Sequence, residues 1–207
     1  MRLSDPLETM RFDVRKPTLL CAPADRDASG ITDSVTSLER YRLQRERGAS
    51  RFRRGTHRVA TSLGTLSLDT IKPDQLLVPT AQSALGQPTA PDATHQVDRY
   101  KCYKVRVTRK TPKLPYDLQV TVTDVLSSPG RRFKVKPPTR LCLAITDELA
   151  RLHNPDGHLL CYPVKLVRGE PKHARQRGLH LANDLGPTRV DTARESELCV
   201  PAVFARD

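Results

Sequence analysis

The sequence predicts an all-β fold made of two tandem β-sandwich-like or barrel-like repeats, the first lacking its N-terminal strand. Three observations predict it. Short stretches alternate apolar and polar residues, as half-buried strands do. Pro and Gly punctuate the chain at roughly the 8–12-residue spacing of an all-β sandwich or barrel. An internal repeat then ties the two halves of the chain to one pattern.

The repeat is legible in three places. Phe12–Cys21 (FDVRKPTLLC) matches Phe133–Cys142 (FKVKPPTRLC) at six of ten positions, an offset of 121 residues. The same offset carries Leu38 to Leu159, Tyr41 to Tyr162 and Gly48 to Gly169. Leu68–Pro79 (LDTIKPDQLLVP) matches Val190–Pro201 (VDTARESELCVP) at five of twelve positions, with the offset at 122. The expected organisation is a first unit over residues 1–80, a linker over 81–96 and a second unit over 97–207. The linker lies within the Ala/Pro/Gln/Ser/Thr-rich run Thr80–Gln96, which has neither strand nor helix periodicity.

The elements follow in order. Leu3-Ser4-Asp5 aligns with Val122-Thr123-Asp124, and nothing in the first unit matches Arg99–Val107 (RYKCYKVRV). The first unit is therefore expected to begin in the middle of a fold, with a partner of that segment upstream of Met1. Phe12 and Val14 form a short alternating strand. Val35–Gly48 is rich in helix formers, but its aligned copy contains Cys161-Tyr162-Pro163-Val164. A proline inside a helix costs ~3 kcal/mol, so both copies are expected to be strands, with Pro163 at an edge. Tyr103, Val105 and Val107 share one face of a strand, as do Leu118, Val120 and Val122, and Tyr162, Val164 and Leu166.

Composition bounds the function classes. The 207 residues carry a net charge of +12, with 37% hydrophobic and 28% charged residues, 4% aromatics and no Trp. That suffices for a folded core. No apolar run approaches the ~20 residues of a membrane-spanning helix. Asp5, Glu8 and Asp13 stand where a signal peptide needs an apolar stretch.

Four of the five cysteines, Cys102, Cys142, Cys161 and Cys199, fall in the second unit, and Cys21 in the first. Four cysteines allow three pairings. A half-length echo, in which a Cys-Tyr strand is followed about 40 residues later by Leu-Cys, favours Cys102–Cys142 and Cys161–Cys199. Arg40 and Leu77 replace the second pair together in the first unit, as paired cysteines require. Disulfides place the chain in an oxidising compartment.

The motifs Cys102-Tyr103-Lys104-Val105, Phe12–Asp25 and Leu68–Pro79 resemble those of a bacterial domain of unknown function found in tandem in predicted secreted or surface proteins. The resemblance covers nearly the whole chain outside the linker. It implies a β-rich extracellular, periplasmic or cell-surface module and brings no activity or functional residues with it.

Candidate sites are few. Arg40–Arg58 holds eight arginines and one acid, and Arg99–Lys113 holds seven basic residues and no acid. Arg40, Arg42, Arg45, Arg51, Arg53, Arg54, Arg58, Arg99, Lys101, Lys104, Arg106 and Arg109 are the candidate polyanion-binding set, because guanidinium and ammonium groups match sulfate and phosphate. Solvated basic faces are the plainer reading. With little aromatic interleaving, specific nucleic-acid binding is not expected. His153, Asp156 and His158 flank an Asn-Pro-Asp-Gly turn signal, a weak pattern for a metal. His173 and His180 stand among Lys172, Arg175 and Arg177, which disfavours a cation. Asp69-Thr70 and Asp191-Thr192 recur as turn or capping pairs. Motifs for phosphate loops, nucleophile elbows, zinc hydrolases and dinucleotide folds are missing. The expected role is a non-catalytic structural or binding module of unknown ligand, without cofactor or membrane insertion, for which a cell-surface polyanion and another copy of the repeat are the candidate partners. The alternative is a basic glycan- or nucleic-acid-binding protein, with a cryptic hydrolase as a third reading.

Overall fold

The structure is a computed structural model that describes residues 1–31, 33–92, 95–146 and 152–205. Fourteen strands join in one antiparallel sheet system, and no helix occurs among the described residues. The first six are β1 (Arg2–Ser4), β2 (Thr9–Cys21), β3 (Ala24–Arg26), β4 (Ser37–Arg45), β5 (Thr56–Thr61) and β6 (Gly64–Ser83). The remainder are β7 (Tyr100–Val107), β8 (Gln119–Asp124), β9 (Ser127–Val135), β10 (Arg140–Ala144), β11 (His158–Leu166), β12 (Leu179–Asn183), β13 (Gly186–Val190) and β14 (Glu197–Phe204).

The helix-forming composition of Val35–Gly48 is overridden by pattern: Ser37, Glu39, Tyr41 and Leu43 alternate inward along β4. Pro163 is accommodated by a gap rather than by a free edge. Cys161 of β11 pairs with Arg140 of β10, and Val164 already pairs with Val135 of β9. Between them, the Pro163 carbonyl accepts the Lys136 N–H at 2.9 Å, and no N–H is required of the proline.

Strands β5, β6, β7, β10, β11 and β14 close on themselves, each paired to the next and β14 back to β5. The ring encloses Val59, Leu68, Tyr103, Leu141, Leu160, Tyr162 and Val200, and β8 and β9 add Val120 and Val135 to the same core. A second core holds Leu3, Met10, Phe12, Tyr41, Leu43, Leu76, Val78 and Ile145 beneath β1, β2, β4 and β6. Ser4 and Thr146 exchange backbone hydrogen bonds at 3.1 and 3.0 Å and close that side. Each large apolar side chain buried this way contributes ~1.5–3 kcal/mol.

Pairing registers recur at the offsets seen in the sequence. Val14↔Leu43 and Cys21↔Leu38 between β2 and β4 correspond to Val135↔Val164 and Cys142↔Leu159. Leu38↔Pro79 and Arg40↔Leu77 correspond to Leu159↔Pro201 and Cys161↔Cys199. The hairpins β5–β6 and β12–β13 turn at Thr61↔Gly64 and Asn183↔Gly186. Both glycines adopt positive φ, 130° and 121°, which a side chain would strain.

The halves also interlock. The end of β6 pairs with β12 (Ala81↔Ala182), while the end of β14 pairs with β5 (Val203↔Ala60). Likewise β3 pairs with β8 (Asp25↔Thr123), as Thr146 bridges Ser4. β6 runs through Ser83, so residues 81–83 of the expected linker are strand.

Candidate functional site

At the centre of the sheet system lies a core made largely of sulfur. Cys102 and Cys142 face each other across β7 and β10 and are joined by a disulfide; Cys161 and Cys199 do the same across β11 and β14. Cys21 is free and packs, partly buried, against the same cluster with Leu38, Leu77, Tyr100 and Leu159. Burial pushes its thiol up to about 12, Glu197 adds to that, and the Arg40 guanidinium pulls in the opposite direction. A thiol held neutral in this way is a poor nucleophile.

Charges gather beside this core. Arg40 pairs with Glu197, which also meets Arg140 at 3.5 Å, and Arg140 reaches Asp74 at 3.5 Å. Burial raises the Asp74 pKa, although Arg140 works against it. The Nε atoms of Arg40 and Arg140, Asp74 Oδ1 and Gln75 Oε1 are buried without a hydrogen-bond partner.

A second charged group is sealed between the cores. Lys101 Nζ lies 3.0 Å from Asp5 Oδ2 and 3.3 Å from Glu8 Oε1, and the Lys101 and Asp5 side chains are both 0% exposed. The Tyr103 hydroxyl donates to Asp5 Oδ2 at 2.7 Å. Burial first, and the two carboxylates after it, push the Tyr103 pKa far up, so the phenol remains a donor. Asp5 also accepts the backbone N–H groups of Leu7 and Glu8, which fixes the β1–β2 turn. Elsewhere, buried Glu39 accepts from Tyr41 Oη at 2.7 Å, Asn183 Nδ2 at 2.7 Å and Thr188 Oγ1 at 2.9 Å, tying β4 to the β12–β13 hairpin.

A hydroxyl–imidazole–carboxylate relay stands at residues 173–195. His173 Nδ1 is 2.7 Å from Glu195 Oε1, and His173 Nε2 is 2.7 Å from Thr192 Oγ1. Arg131 pairs with Glu195. Burial raises the Glu195 pKa, and hydrogen bonds from Arg131 and His173 more than offset it, so the carboxyl is held below its usual value. Thr192 Oγ1 also accepts the Gln176 N–H at 2.9 Å, and its own N–H donates to Gln176 O at 2.9 Å. Thr70 clasps Gly55 by the same two bonds, at 3.1 and 2.8 Å, and among the described residues no His–Glu pair is hydrogen-bonded to its hydroxyl. The threonine is thus a clamp for a passing peptide, in the turn and capping role expected of the Asp-Thr pairs. Sequence spacing gave no signal for His173 or Glu195.

The basic candidates separate into two groups. Arg40, Arg99 and Lys101 are interior, paired with Glu197, with Asp184, and with Asp5 and Glu8. Their burial removes them from any polyanion-binding surface. Arg42, Arg45, Arg51, Arg53, Arg54, Arg58, Lys104, Arg106 and Arg109 are exposed. Register sets Arg106 beside Asp69, which it contacts at 3.0 Å, and Lys104 opposite Lys72. A shallow depression of about 290 Å³ is lined by Arg2, Thr9, Met10, Arg11, Glu46, Ala49 and Ser50. The Asn-Pro-Asp-Gly turn forms, with Gly157 N–H donating to Asn154 O at 3.0 Å. Its histidines diverge: His153 lies tilted against His95, and buried His158 meets Phe204 edge-on. No three-residue group able to hold a metal ion occurs among the described residues.

Comparison with known proteins finds no matching family model, curated protein or solved structure.

Proposed function

We propose that this protein is a non-catalytic, disulfide-braced binding module that works in an oxidising extracellular, periplasmic or cell-surface environment. The observation that carries the reading is the pair of cross-strand disulfides packed in one buried cluster at the centre of the fold. Disulfides persist where the surroundings are oxidising. The interior charges support the same reading, because Lys101, Arg40 and Glu39 each hold two distant segments together.

Polyanion binding is the second reading, favoured by the nine exposed basic residues on and around β4, β5 and β7. A titration with heparin and with duplex DNA of two sequences, at low salt and at about 150 mM, separates the two, since counterion release weakens purely electrostatic association steeply. Weak, sequence-indifferent retention that is lost at the higher salt is the expected result. Sub-micromolar affinity at the higher salt would replace the structural reading with polyanion recognition.

A further inference from the structure

Among the described residues Lys101 is the one lysine whose side chain is wholly buried, and it faces two carboxylates. Its Nζ is 3.0 Å from Asp5 Oδ2 and 3.3 Å from Glu8 Oε1, with the Phe12 and Tyr103 ring centroids 5.5 and 5.4 Å away. A buried ion pair is a weak source of stability, because desolvation of both charges offsets their attraction. An amine and a carboxyl sealed together away from water have another outcome open to them. Condensation to an amide removes both charges from the interior and releases one water.

The donors around Asp5 are arranged for that reaction. Its Oδ1 accepts the backbone N–H groups of Leu7 and Glu8 at 2.8 and 3.1 Å. Two such amides form an oxyanion hole, stabilising the charge that develops on Oδ1 when Cγ is attacked. Oδ2, the oxygen in contact with the amine, is the one left to depart. The Tyr103 hydroxyl lies 2.7 Å from Oδ2 and 3.2 Å from Glu8 Oε1, and so bridges a base to the leaving oxygen. Asp5 is followed by Pro6, whose missing N–H bars the competing cyclisation of the aspartyl side chain onto the next backbone amide.

We propose that Lys101 and Asp5 join in an intramolecular isopeptide bond, with Glu8 as the proton acceptor, stapling the β1–β2 turn to β7. The Lys101 ammonium gives one proton to Asp5 Oδ2. The freed nitrogen lone pair then forms the bond to Asp5 Cγ, and Oδ1 takes the displaced electron pair. Glu8 Oε1 removes a second proton from the nitrogen and returns it through Tyr103 to Oδ2. The Cγ–Oδ2 bond breaks, Oδ2 leaves as water, and the carbonyl re-forms at Oδ1. Glu8 and Tyr103 end as they began, and no oxidant is consumed. The reacting groups come from opposite halves of the chain, so the bond forms only after folding has brought them together. Unlike the two disulfides, it survives a reductant.

Mass spectrometry of the full chain, denatured and fully reduced, tests this. The expected mass is that of the sequence less one water. Trypsin should yield residues 3–11 and 100–104 as one branched peptide, uncut at Lys101. The double variant Lys101→Met with Asp5→Leu removes both reacting groups without stranding either charge, and should show its full sequence mass. Glu8→Gln keeps both reacting groups and should link roughly a hundred-fold more slowly in a time course of intact mass, since a general base contributes about 10²–10⁴. A native chain of full sequence mass, or a lost water that digestion places at other residues, would overturn the proposal. Linking of Glu8→Gln at the native rate would overturn the assignment of Glu8 as the base.

Discussion

The sulfurs of Cys142 and Cys161 lie 3.9 Å apart although the two residues belong to different disulfides. β10 and β11 are neighbours, and the two cysteines project from them into one buried cluster. The bridges therefore form a continuous chain of four sulfurs across β7, β10, β11 and β14.

Peptide mapping of oxidised protein without reductant should recover Cys102 linked to Cys142 and Cys161 linked to Cys199. Removing Cys102 and Cys199 together should let the two remaining neighbours join as Cys142–Cys161. Each native bridge spans 40 or 38 residues. Chain-entropy estimates put the loss on removing one at about 4 kcal/mol, measurable by urea unfolding.

Cys21 should resist alkylation by iodoacetamide at neutral pH in the native protein and react readily after unfolding. The free thiol ionises near 9.0 and the folded one only near about 12. Its neutral form is thus favoured in the folded state, and rising pH through 9 costs stability. Reaction at equal rates in folded and unfolded protein would refute the burial on which this rests.

Breaking the sealed ion pair should be costly. Lys101→Ala leaves Asp5 and Glu8 without their cation, and removing one partner of a buried pair typically destabilises by 3–5 kcal/mol. The double variant Lys101→Met with Asp5→Leu should recover much of that loss, because no unpaired charge remains. Denaturant midpoints of the single and double variants test this.

Mild acid should weaken the fold through its buried histidines. Burial lowers the pKa values of His57, His95 and His158 below their usual 6.5. The unfolded chain then binds more protons as pH falls below 6.5, so the stability these histidines contribute is complete above that value and is lost beneath it. The carboxyls of Asp33 and Glu195, held below 3.8 and 4.5, act only at lower pH. Unfolding midpoints between about pH 7.5 and 5.5 should fall, and His158→Phe, packed on Phe204, should flatten the decline.

Thr192 should behave as a structural clamp. Thr192→Val should destabilise by about 1 kcal/mol through loss of part-buried hydrogen bonds, and a fluorophosphonate probe should leave Thr192 unlabelled. Covalent labelling at Thr192 would convert the His173–Glu195 relay into catalytic machinery.

Sequence pattern determined the all-β class. Alternation at Leu118–Val122 and Tyr103–Val107 turned the right faces inward, and the helix-like stretch around Leu38 followed its proline-bearing copy into a strand. Its disulfide pairs were also legible, because cysteines that come and go together mark partners. Charge was not legible in this way. Arg40, Arg99 and Lys101 lie in basic runs that suggested a solvated surface, yet their partners Glu197, Asp184, Asp5 and Glu8 are distant in sequence and become neighbours only in the assembled sheet, across the two halves for Arg40 and Lys101 and within the second for Arg99. Local alternation fixes which way a side chain points, because period two is a property of the strand itself. Which carboxylate waits at the end of that side chain depends on long-range register, and only the closed tertiary structure decides it.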